Sequence, residues 1–157
     1  IATLLIGGIV ASPFNDVLGE RVERIVMGTT GSGAERPLWK EALMSIRSSV
    51  VVVLLYALLM GPVLLLNVVP VVGSVTATVL GVAVGAFFLA LEFADAVLAR
   101  HGYALRERIR LLRRNWPLAG GFGLSTSMLL WIPFLNVLCI PIAVVGGTLL
   151  ALALVEP

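Results

Sequence analysis

The chain has 157 residues, of which 59% are apolar and 13% charged, with a mean hydropathy of +1.06 and a formal net charge of +2. Soluble domains carry roughly 25% charged residues, so this composition excludes an ordinary soluble fold and indicates an integral membrane protein. A single cysteine and a single histidine exclude an internal disulfide and offer no set of groups for metal binding or nucleophilic catalysis, so neither an enzyme nor a cofactor is expected.

The first segment, residues 1–27, changes character halfway. Ile1 to Ala11 reads as the last turns of a transmembrane helix that leaves the bilayer near Ser12-Pro13. Beyond it, Phe14, Leu18, Val22 and Ile25 recur at helical spacing and predict an apolar face, while Asp16, Glu20, Arg21, Glu23 and Arg24 face elsewhere. Eleven apolar residues cannot span a membrane, and the chain starts with Ile, so it is expected to be the carboxyl-terminal part of a longer protein.

A linker, "GTTGSGAERP" (28–37), precedes a long helix and first hairpin assigned to residues 37–99. Its start carries Trp39 as an interface anchor and Lys40 and Arg47 at the aqueous boundary. This start and the helix before it are expected to pack as an antiparallel pair in the cytoplasm.

Two tracts carry no charge, Ser48–Leu91 (44 residues) and Asn115–Val155 (41 residues). One crossing needs roughly 20 helical residues, so each tract holds two legs. Breakers mark the midpoints, "NVVPVVGS" (67–74) and "WIPFLN" (131–136), and neither apex is charged, although an aqueous loop could hold charges freely. Three of the four legs are short when measured to the nearest charge. The predicted architecture is therefore all-α, with long transmembrane helices extending into the cytoplasm and two helical hairpins inserted partway; two ordinary spans are the alternative. The hairpins separate charge clusters at Asp16–Arg47 and Glu92–Arg114, which must lie on one side, and the arginines make that side cytoplasmic.

Between the hairpins, residues 103–116 form a predicted interfacial amphipathic helix, with Leu105, Ile109, Leu112 and Trp116 on one face and arginines over the rest. Two readings fit its basic face: anchorage to anionic lipid headgroups, and recruitment of an anionic solute, with Arg110 as the candidate residue. Glu92 and Asp95, one turn apart where the first hairpin returns, can accept a proton in coupled transport or pair with those arginines.

The second hairpin, 117–155, holds "GGFG" and "FGLSTSM", whose small residues allow close helix packing; no lysine or strand accompanies the glycines, so a nucleotide loop is not indicated. Cys139 reads as a buried apolar filler and His101 as part of a solvated turn. A helix that starts inside the membrane exposes unpaired N–H groups and its positive dipole end, which attract an anion. Ser74 and Thr76 stand at the first such start and Asn136 at the second; as alternatives, Ser74 and Asn136 cap their helices and Thr76 bonds to its own.

Three blocks, "ASPFNDVLGERVE" (11–23), "VPVVG" (69–73) and "FGLSTSMLLWIPFLNVLCIPIAVVGGTLL" (122–150), resemble the CysZ-type sulfate permeases and the related etoposide-induced protein family across nearly the whole chain. Pro13, Phe14, Asn15, Pro70, Pro133 and Pro141 belong to these blocks and are assigned structural roles by the resemblance. It implies one helical membrane domain over residues 1–157, two partly inserted hairpins and a symmetric homo-oligomer. It also implies a bacterial inner-membrane location and transport of sulfate or a related oxyanion for sulfur assimilation. The family's polar run at the start of the second long helix falls here on "RSSVV", which keeps Arg47 and has serine where a glutamate is usual; Glu41 is the alternative carboxylate. The expected function is oxyanion permeation, with Arg47, Ser74, Asn136 and Arg110 as anion-path candidates; the partners are the anion, membrane lipids and further copies of the chain, and no nucleic acid. A structural protein that shapes the bilayer is the alternative.

Overall fold

The computed structural model describes residues 16–28, 38–68, 72–132 and 136–155, and among them every regular element is helical. In chain order these are α1 (16–27), α2 (Leu38–Leu65), a 3-10 turn (Leu66–Val68), α3 (Val72–Arg100), α4 (Leu105–Arg114), α5 (Trp116–Leu130) and α6 (Asn136–Val155). Among the described residues two helices, over Ile46–Leu65 and Val72–Arg100, are long and apolar enough to cross a membrane. Both charge-free tracts break where the breakers cluster, between α2 and α3 and between α5 and α6. Residues 1–15, and with them Pro13, Phe14 and Asn15, lie outside the described residues, as do Pro70 and Pro133. Pro141 lies inside α6, where its ring removes one backbone donor.

α3 is the central post. Its buried residues Ala86, Ala90 and Ala94 recur every four positions, and two further stripes of the same spacing are buried on its neighbours, Ala119 and Gly123 on α5 and Ala143, Gly147 and Ala151 on α6. Small residues at this period let helix backbones approach closely. The approach is close. A Cβ on Gly123 would collide with the Ala86 carbonyl, and one on Gly147 would fall 2.5 Å from Phe93 Cβ. Above these contacts, larger residues close the core: Leu91, Val97 and Leu98 of α3 with Leu112 of α4 and Leu150 and Leu152 of α6.

α3 is longer than its charge-free leg. Its leg does not end at the first carboxylate but continues through Glu92 and Asp95 to Arg100, making 29 residues or roughly 43 Å. A charge marks where solvent begins, not where hydrogen bonding stops. The helix ends instead at Gly102, whose φ of 80° is left-handed. There the Tyr103 N–H bonds the Leu98 carbonyl at 3.0 Å and the Gly102 N–H bonds Ala99 at 2.9 Å, the paired bonds of a Schellman cap.

α1 keeps part of its predicted face, with Leu18 and Val22 half-buried, and departs from it at two positions. Ile25 is 83% exposed, whereas Glu23 is fully buried. The inward stripe is Gly19, Glu23 and Met27. An apolar count misses it because its central residue is a carboxylate with partners far away in sequence. The described contacts of α1 run to the end of α3 and to α6, with Gly19 against Arg100, Val144 and Thr148; the side chains at the start of α2 lie outside the description, so the expected antiparallel pair is not described.

Candidate functional site

α2 and α3 run antiparallel. The Tyr56 and Phe88 rings meet edge-to-face at 5.2 Å, and Val63 stands against Gly81. Extending that register places Arg47 at the level of Val97, near the charged end of α3. Asp95, Arg100, His101, Glu23 and Arg108 of α4 gather at this same end. Ser74 stands at the other, 26 residues before Arg100 and so roughly 39 Å away. The candidates therefore form two groups rather than one pocket.

At the charged end, Glu23 is the centre of a buried cluster. Arg100 Nε donates to Glu23 Oε2 at 3.1 Å, and His101 Nε2 lies 2.7 Å from Glu23 Oε1. A buried carboxylate is sustainable only with such partners. The solvated turn expected at His101 is thus a turn in backbone alone, since the imidazole is packed against Glu23. No local pattern could have revealed this cluster, because Glu23 and Arg100 are 77 residues apart. A second pair is Arg108 Nη1 with Asp95 Oδ1 at 2.6 Å; Arg108 Nε also donates to the Tyr103 carbonyl at 2.7 Å. Glu92 is exposed and Asp95 half-buried.

α4 folds back from this end toward the apolar half of α3. Arg108 meets Asp95, and Trp116, just past α4, stacks on Phe87 with ring centroids 5.9 Å apart and planes 29° from parallel. Leu112 faces inward and is fully buried; Arg106, Arg110 and Arg113 are exposed and, with Ile109, line a shallow depression. Arg47 is exposed on α2.

At the apolar end, Ser74 is exposed in the first turn of α3. Thr76 and Thr78 donate to the Val72 and Ser74 carbonyls, both at 2.8 Å, so their hydroxyls serve their own helix. Asn136 is the first residue of α6, and its side chain lies outside the described residues. In α5, Ser125 and Ser127 donate to Gly121 and Leu124, while Thr126 is buried. Cys139 is free and buried. Among the described residues, no group of three or more His, Cys, Asp or Glu side chains could hold a metal ion.

The family described as sulfate transporter CysZ/etoposide-induced protein 2.4 matches residues 1–141. Curated relatives named sulfate transporter CysZ are similar to most of the chain. The protein from Pectobacterium atrosepticum is 30% identical over 145 residues, 91% of this chain and 52% of its own length. That from Vibrio cholerae is 30% identical over 143 residues, 88% of this chain and 56% of the relative. That from Pseudomonas paraeruginosa is 33% identical over 149 residues, 92% and 59% respectively. The chain thus spans about half the length of the curated relatives it matches. With a match over most of its residues and an all-helical fold built on two long apolar helices, the chain belongs to the sulfate transporter CysZ/etoposide-induced protein 2.4 family.

Proposed function

We propose that the protein conducts a small inorganic oxyanion, sulfate foremost, across the bacterial inner membrane, with its charged end in the cytoplasm. The observation that carries this reading is the polarity of the bundle. Every described carboxylate and guanidinium is confined to α1, α4 and the adjoining ends of α2 and α3, while at the opposite end the first turn of α3, with Ser74, is uncharged. The names of the relatives supply the substrate class.

Helix lengths support different depths for the two hairpins. α3 begins 21 residues before its contact at Phe93, roughly 31 Å, which matches a hydrocarbon core. α6 begins 11 residues before the same contact at Gly147, roughly 16 Å, and α5 has only 15 residues, roughly 22 Å. On this reading the first hairpin reaches across and the second stops inside, its start at Asn136 sheltered by α3. Ser74, Asn136 and Arg47 are the residues we assign to the anion path, in a homo-oligomer surrounded by lipid.

The test is sulfate uptake by proteoliposomes containing the full-length protein. Flux above that of empty vesicles, reduced about tenfold by Arg47→Ala, is the expected result, a loss of roughly 1.4 kcal/mol in anion attraction. Flux equal to that of empty vesicles would leave the bilayer-shaping alternative.

A further inference from the structure

Four guanidinium groups on α4, those of Arg106, Arg110, Arg113 and Arg114, have no ion-pair or hydrogen-bond partner among the described residues, and the first three line one depression. Arg106, Arg110 and Arg113 are spaced by four and three residues, so they share one helix face. No described ion pair or hydrogen bond engages their side chains. Of the other charged residues on α4, Arg108 is committed to Asp95 and the Tyr103 carbonyl, and Glu107, the only carboxylate of the helix, to the Ala104 N–H at 2.8 Å, while Arg114 is exposed at the end of the row. The face therefore presents three positive charges with no compensating carboxylate on α4.

Its position along the bundle is equally informative. α4 descends from the level of Asp95 toward Phe87, which lies in the charge-free part of α3. Trp116 ends that descent, stacked on Phe87 yet 42% exposed, so an amphipathic ring lies beside the charge-free part of α3 directly below the arginine row. Arg113 stands one turn above Trp116, and Arg110 and Arg106 follow within roughly 10 Å. The apolar stem and planar fork of arginine suit it to reach from an apolar wall to phosphate oxygens.

We propose that Arg106, Arg110 and Arg113 form a docking face for the phosphate headgroups of anionic glycerophospholipids in the leaflet that adjoins the charged end. This rests on the reading that the uncharged tracts lie in a bilayer. A soluble oxyanion needs donors that converge in an enclosed site. These arginines instead lie in a row along an open, shallow depression, which matches a layer of separate headgroups.

The test uses the full-length protein in liposomes, with every tryptophan except Trp116 replaced by Phe. Quenching of Trp116 is compared for brominated phosphatidylglycerol and brominated phosphatidylcholine at equal mole fraction. Stronger quenching by the anionic lipid is expected. Each of Arg106→Gln, Arg110→Gln and Arg113→Gln should lower that preference by up to roughly fivefold, and the triple variant should abolish it. Arg24→Gln on α1 removes the same charge from another exposed site and should leave it intact. Equal quenching by the two lipids in the parent, survival of the preference in the triple variant, or an equal loss in Arg24→Gln would overturn the proposal. So would its abolition by millimolar sulfate at constant ionic strength, which would assign the face to a soluble oxyanion. Absence of quenching by either lipid would overturn the bilayer placement itself, an outcome distinct from loss of selectivity.

Discussion

α2 and α3 have 28 and 29 residues and are similarly apolar, yet only 6% of the most apolar window of α2 is buried, against 28% for α3. Both contain small residues four apart. In α2 these are Ala57 and Gly61, and a Cβ added to Gly61 would meet no described atom of another element within 4 Å. In α3 they are Ala86, Ala90 and Ala94, and Gly123 and Gly147 of the neighbouring helices press directly against the same helix. Apolarity admits a helix to a membrane. A matching notch on a partner decides whether it becomes a post or an outer wall.

Substitutions can break that comparison. The largest effect is expected from Leu91→Ala, which empties a site in the core of α3 and should cost about 3 kcal/mol. Gly123→Ala follows at about 2–3 kcal/mol, because the added methyl has backbone rather than a yielding side chain in its way. Gly121→Ala, two residues earlier where nothing lies within contact range, should stabilise by about 0.5 kcal/mol through helix propensity alone. Equal effects at Gly121 and Gly123 in detergent unfolding titrations would refute the close α3–α5 approach.

Glu23→Gln should cost about 2 kcal/mol, since it leaves Arg100 facing a neutral amide in a mostly buried cluster. Protease cleavage after α1 should accelerate with it. Gly102→Ala should cost about 1 kcal/mol, the penalty for a side chain at a left-handed φ. Smallest of all is Leu58→Ala on the exposed face of α2, expected below about 0.5 kcal/mol in the same titration. A cost at Leu58 that matched Leu91 would mean that α2 is packed as tightly as α3, and the contrast would fail.

Much of this organisation was legible in the amino-acid order. The breakers at 67–74 and 131–136 fall at the two chain reversals, because proline and glycine act locally. The amphipathic helix predicted for 103–116 emerges as Leu105–Arg114 with Leu112 inward, because a period of 3.6 is a property of the segment itself. Thr76 donates to its own helix for a similarly local reason. The small-residue stripes at Ala119 and Gly123, and at Ala143, Gly147 and Ala151, were also there to be read, as repeats of four. Glu23 was not, since its place depends on Arg100 and His101 arriving from the far end of a second helix.

The sequence by itself determined the polarity of each segment: two long uncharged tracts, charged stretches between them, and a bend in the middle of each tract. Transfer free energy and backbone stiffness are local quantities that add along a chain, so no knowledge of partners is needed. Only the tertiary structure decided which apolar helix is enclosed, which carboxylate is buried, and which of the arginines on α4 remain free. Those outcomes depend on the meeting of surfaces distant in sequence, where a gap of one methyl group or the arrival of one guanidinium changes the result.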